Sequence, residues 1–170
     1  MPRARVSGPA VLALALLLGP GPWQPALAGP FAFEDVVLEV PSGFLGPEVR
    51  RLAGGVSTAS FATFDNCGLQ STTLQLTVRE AGGAQEALLA AAEVPRAGFV
   101  AGKPEPIRLG ELPGYRMAWR GDETVGVSYA FALGSKLISV HAHAQGEQPS
   151  GPMLEAVRAI EALRVQRRLP

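Results

Sequence analysis

The sequence predicts an α+β protein of one domain, built on a central antiparallel β-sheet flanked by helices. Three observations point there. The second half of the chain is a succession of short segments with period-two polarity, separated by Gly-containing turns. The C-terminal segment carries apolar residues at helical spacing. A middle stretch, "AQEALLAAAE", has high helix propensity and no internal Gly or Pro.

In chain order, Arg3 and Arg5 precede the apolar run "VLALALLLG", and "PGPWQPALA" ends in small residues, which is the layout of a secretory signal peptide over residues 1–28. Ala26 and Ala28 occupy the small-residue positions, so cleavage is expected after Ala28, with a single domain over 29–170. The apolar run is shorter than the ~20 residues a membrane-spanning helix needs. The expected product is therefore periplasmic or secreted, with no stable membrane span.

Next, "FAFEDVVLEVPSGF" reads as one strand in which Val36, Leu38 and Val40 share a side, stopped by Pro41-Ser42-Gly43. "LGPEVRRLAGG" reads as a short helical turn, with Pro47 near its start and Gly54-Gly55 at its end. "VSTASFATF" and "TTLQLTVRE" make a hairpin across the turn-forming "DNCG". After the middle helix, "VPRAGFVAGKPEP" reads as a loop. Four strands follow: "PIRLGEL", "YRMAWRG", "TVGVSYAFAL" and "KLISVHAHA", punctuated by Pro113-Gly114, Gly121-Asp122 and Gly134-Ser135. In the third of these, Val125, Val127, Tyr129, Phe131 and Leu133 face one way and Gly126, Ser128, Ala130 and Ala132 the other. Small residues on the second face mark a central strand covered on both sides. The closing "SGPMLEAVRAIEALRVQRR" is a docking helix with Ser150 or Gly151 as cap and a stripe of Met153, Val157 and Ile160, broadened by Leu154 and Leu163. Arg164, Arg167 and Arg168 suit its negative end.

Charge and cysteine content exclude several classes. Without residues 1–28 the chain carries 13 basic and 15 acidic side chains, with no basic stripe of the kind nucleic-acid binding requires. Cys67 is the only cysteine, so no internal disulfide forms, and no catalytic-cysteine motif surrounds it. Its expected role is structural or incidental, as a small hydrophobe.

The order of "FEDVVLEVPSGF", the middle hairpin and helix, "LGELPGYRMAWRG", "VSYAFALGSKLISVHAHA" and "MLEAVRAIEALR" resembles the PsbP-like superfamily, which includes bacterial envelope proteins of the DcrB type. The resemblance covers most of residues 29–170 and is architectural. It implies an α/β/α sandwich and a noncatalytic binding, assembly or accessory role, with no catalytic motif and no cofactor to carry over. Fold likeness does not by itself assign function.

Two groups of residues are candidate sites. His141 and His143, both of the chain's histidines, share one face of a strand with Leu137 and Ser139. They could contribute to a metal centre completed by Glu147 or a remote carboxylate, yet a zinc site needs three or four protein ligands. The bland alternative is a pair of polar residues on the less buried face. Trp119 and Tyr129 are candidate binding residues, offering apolar area with a hydrogen-bonding tip, against the alternative of core packing. No nucleophile elbow, Walker loop, dinucleotide fingerprint or zinc-protease helix is present. The expectation is an exported accessory protein that binds an envelope protein partner through a sheet edge, loops or an aromatic face. The alternatives are a carrier of a small apolar ligand and a metal-binding protein or metalloenzyme using His141 and His143.

Overall fold

The computed structural model describes residues 28–80, 99–110 and 112–166. Its strands are β1 (Gly29–Phe33), β2 (Val36–Val40), β3 (Leu45–Leu52), β4 (Val56–Phe64), β5 (Gln70–Glu80), β6 (Val100–Ala101), β7 (Glu105–Leu109), β8 (Leu112–Gly121), β9 (Thr124–Leu133), β10 (Lys136–Gln145) and β11 (Arg164–Val165). The helix among the described residues, α1, spans Gly151–Glu161. All pairings are antiparallel. The larger sheet has the order β3-β4-β5-β10-β9-β8-β6, with β7 also on β8, and the smaller has the order β1-β2-β11.

This architecture corrects the expected α+β sandwich. Among the described residues the fold is mostly β, with two antiparallel sheets and one short helix rather than a sheet flanked by helices. Three local readings account for the difference. The single strand expected around "FAFEDVVLEV" is a hairpin whose turn puts Glu34 at φ 53°, a left-handed position filled without Gly or Asn. The short helical turn expected at "LGPEVRRLAGG" is strand β3, with a cis Gly46-Pro47 bond and a register shift between Leu45 and Glu48. Residues expected to end the last helix form β11 instead, where Arg164 pairs with Val37 and makes an ion pair with Glu39. The middle helix over "AQEALLAAAE" and the signal peptide, but for Ala28, lie outside the described residues.

The β4–β5 hairpin and the strands β7 to β10 fall where alternation put them. The turn between β7 and β8 sits at Gly110, with φ 59°, and Pro113-Gly114 lies inside β8. The expected loop at "VPRAGFVAGKPEP" contributes β6 and the start of β7. In the β4–β5 turn the Asp65 carboxylate accepts the backbone N–H groups of Cys67 and Leu69, each at 2.8 Å, and leaves Cys67 exposed rather than packed.

One continuous core joins the two sheets and the helix. Val36, Leu38 and Val40 of β2 meet Leu74, Leu76, Val127, Tyr129, Phe131, Ile138 and Val140 of the larger sheet. Phe31 stands edge-on to Phe61 with ring centroids 5.1 Å apart, linking the sheets. Lys136 at the start of β10 pairs with Asp35 at 2.6 Å across the same junction. Ser150 caps α1 by accepting the Met153 N–H, and its hydroxyl lies 3.0 Å from that of Thr72 on β5, so the cap also fixes where the helix starts over the sheet.

The helix docks through Met153, Ala156, Ala159 and Ile160. Ala156 and Ala159 take inward positions beside the expected Met153 and Ile160, because alanine allows the closest approach of helix to sheet; Leu163 is buried as the stripe predicted, and Val157 packs against the core in part. Leu154 is left 48% exposed and Val157 half-buried.

On the far face of the larger sheet, Trp119 lies across Gly126, its partner in the β8–β9 register. A Cβ at Gly126 would sit 2.0 Å from the indole ring. Gly126→Ala is therefore expected to lose about 1–3 kcal/mol of stability in urea unfolding and to shift the emission of Trp119. Unchanged stability would show that the indole does not occupy this position.

Candidate functional site

Trp119 and Tyr129 are both buried and project from opposite faces of the sheet, since Trp119 pairs with Gly126 and Tyr129 with Arg116. They do not form one cleft. Trp119 donates its indole N–H to Ser128 Oγ at 3.0 Å, and Phe99 packs edge-on against the ring at 5.1 Å. On the other side of the sheet, the Tyr129 hydroxyl donates to the Glu161 carboxylate at 3.1 Å. Burial raises the phenol's pKa far above its ordinary value; Glu161 adds to this and Arg116 opposes it, so the group remains a donor.

His141 and His143 share a face as alternation required, beside Ser128 and Gly126 of β9 and opposite Gln75 and Thr73 of β5. His141 Nδ1 lies 2.8 Å from Ser128 Oγ. With the indole donating to that oxygen, the Ser128 hydroxyl is free to donate to Nδ1 of a neutral imidazole. His143 lies 6.0 Å from the Trp119 ring and borders a small polar hollow with Thr73 and Gln145. Among the described residues no third His, Cys, Asp or Glu joins the two imidazoles. Ser128 is fully buried, so its contact with His141 does not present a nucleophile to solvent. The cluster is a hydrogen-bonded link between β8, β9 and β10.

Burial, with a smaller contribution from His143, lowers the His141 pKa from 6.5 to about 4, and burial also lowers that of His143. Gln75 and Ser128, the cross-strand neighbours of His141, carry no charge.

An open apolar groove lies on the helix side of the sheet. It has a volume of about 350 Å³ and runs between α1 and the paired strands β8 and β9. Val125, Val127 and Met153 line it, and Val157, Leu154 and Val100 complete its walls. Leu154 is 48% exposed and Val100 76%, so the groove opens to solvent rather than enclosing a cavity. Its lining includes Arg116 and Arg120 and no carboxylate. The guanidinium carbon of Arg116 lies 6.0 Å from the Tyr129 ring centroid, and its Nε is buried with no hydrogen-bond partner among the described residues. An unmet buried donor costs about 1–3 kcal/mol, more when charged.

Sequence reasoning missed this groove. Its walls come from three segments far apart in the chain, and helical spacing marked Leu154 as part of the docked stripe. One signal was present: Arg116 alternates with Met117 and projects to the same face as Tyr129, a cation on a sheet face that otherwise reads as apolar.

No family model matches the chain, and no curated protein matches it. Among solved structures, it is similar to a crystal structure from Bacteroides thetaiotaomicron at 10% identity with a TM-score of 0.44, over 78% of this chain. The chain spans 45% of the length of that one. A likeness of this size carries no argument about function. Neither the comparisons nor the described side-chain arrangement indicates catalysis.

The histidine geometry has a consequence for acid stability. An unfolded chain takes up a proton on His141 near pH 6.5 and the folded chain only near 4, so stability is complete above neutral pH and falls as pH drops through that interval. The loss reaches about 3 kcal/mol at most. Urea unfolding at pH 7 and pH 4 should show it, and His141→Gln should shrink the difference while leaving the smaller part due to His143. An equal loss in the variant would remove His141 as its source.

Proposed function

We propose that this chain is an exported, noncatalytic accessory protein of the cell envelope that binds another protein through the groove between α1 and strands β8 and β9. The observation that carries the reading is the open apolar wall formed by Leu154 and Val100, which are exposed, with the half-buried Val157 between them and the core. Exposed apolar surface rimmed by charge is the usual mark of a recognition site. The N-terminal segment, with Arg3 and Arg5 before an apolar run, supports export to the periplasm or beyond. Among the described residues no helix is long and apolar enough to cross a membrane.

The groove is open and small, which favours a protruding segment of a larger molecule over an encapsulated small ligand. A stable interface buries at least about 1,200 Å² in total. The partner must therefore extend beyond the groove, with the groove holding its anchor.

A photo-crosslinking residue at position 154, introduced into the full chain in its own cells, should yield one discrete adduct. The same residue at Leu69, an exposed position in the β4–β5 turn, should not. Val100→Glu, at a groove position 76% exposed, should abolish the adduct while leaving the melting temperature of the protein nearly unchanged. The same adducts from both positions, or an adduct at 154 indifferent to Val100→Glu, would refute the groove as the binding site.

A further inference from the structure

Arg116 is the side chain in the groove whose chemistry is least satisfied by its own protein. It projects from β8 toward the helix side, directly across the register from Tyr129. On α1, the Glu161 carboxylate accepts from the Tyr129 hydroxyl and makes no ion pair with Arg116. On the other side, Glu105 of β7 stands opposite Arg116 in the register, but it is exposed and makes no ion pair with it. The guanidinium therefore rests over an aromatic ring, its Nε buried and unpaired among the described residues.

An arginine in that state matches one ligand chemistry well. A carboxylate approaching side-on accepts from Nε and one terminal nitrogen at once, the bidentate arrangement that makes arginine pairs directional. Beside the cation, the groove presents Val125, Val127, Met153 and Val157, a surface for aliphatic side chains. We propose that the groove recognises an acidic side chain flanked by large aliphatic residues on the partner protein, with Arg116 holding its carboxylate. The groove, about 350 Å³ and open to solvent, leaves room for one carboxylate with an aliphatic side chain beside it. Because Nε is covered in the free protein, the guanidinium turns from the Tyr129 ring toward the groove on binding. The contact it gives up is a modest cation–π interaction.

The inference rests on the groove being the binding site, and the test separates the two. Three fluorescein-labelled peptides serve as probes against the folded full chain: Leu-Glu-Leu flanked by glycines with an amidated C-terminus, the same peptide with Gln for Glu, and the Gln peptide with a free C-terminal carboxylate. Fluorescence anisotropy should show the Glu peptide binding about tenfold or more tightly than the amidated Gln peptide. Arg116→Met should erase that preference without weakening the Gln peptide. Arg116→Lys should restore part of it, since charge returns without the fork. Leu154→Glu should weaken both amidated peptides. Near-ultraviolet circular dichroism of each variant confirms that the fold survives. Equal binding of the amidated Glu and Gln peptides, both sensitive to Leu154→Glu, would overturn carboxylate recognition and leave the groove standing. Tight binding confined to the free C-terminal peptide would replace the acidic side chain with a chain end and overturn the assignment. If no peptide binds the unaltered protein, the groove and the inference fall together.

Discussion

The packing of one sheet face against α1 and the smaller sheet is the constraint on which the rest of this structure depends. Strands β9 and β10 set Val127, Tyr129, Phe131, Ile138 and Val140 on that face, all buried. Burying one such side chain contributes about 1.5–3 kcal/mol by removing apolar area from water. A shift of register by one residue would exchange this set for Ser128, Ala130, Ser139 and His141. The sheet therefore has one permitted orientation, and both the helix and the small sheet must lie on the same side of it.

The groove follows from how the helix satisfies that constraint. Its smallest inward residues, Ala156 and Ala159, set it close to the strands, while the capping hydroxyl of Ser150 fixes its start over β5. A helix held so near and at that rotation cannot also bury Leu154, and Val157 is covered only in part. The apolar stripe is wider than the surface available to receive it. What remains overhangs β8 and β9, and Arg116 lies in the gap beneath.

The opposite face combines a second apolar cluster, Ala130 and Leu137 with Tyr115 and Ala132 against them, with a set of hydrogen bonds. Gly126 makes room for the Trp119 ring, Ser128 receives its N–H, and His141 completes the link to β10. In sequence terms this face announced itself through its small residues, and the two histidines were correctly placed side by side. Their role was not legible there, because an alternating pattern places side chains on a face without saying that a serine from the next strand stands 2.8 Å away.

Strands with long, clean alternation were legible, as β5, β8, β9 and β10 show. Elements defined by special backbone geometry were not. Strand β3 was hidden by Gly46, Pro47 and the Gly54-Gly55 pair, which carry the punctuation of a helix. The β1–β2 turn lacks a glycine, and β11 is only two residues long. The groove depended on which way the helix rotates, a tertiary outcome settled by the alanines. That last short strand has a further effect. Because β2 lies between β1 and β11, which are far apart along the sequence, the small sheet is complete only when both distant segments have met on it. Docking of β11 therefore closes a long loop, and without it one edge of β2 stands unpaired.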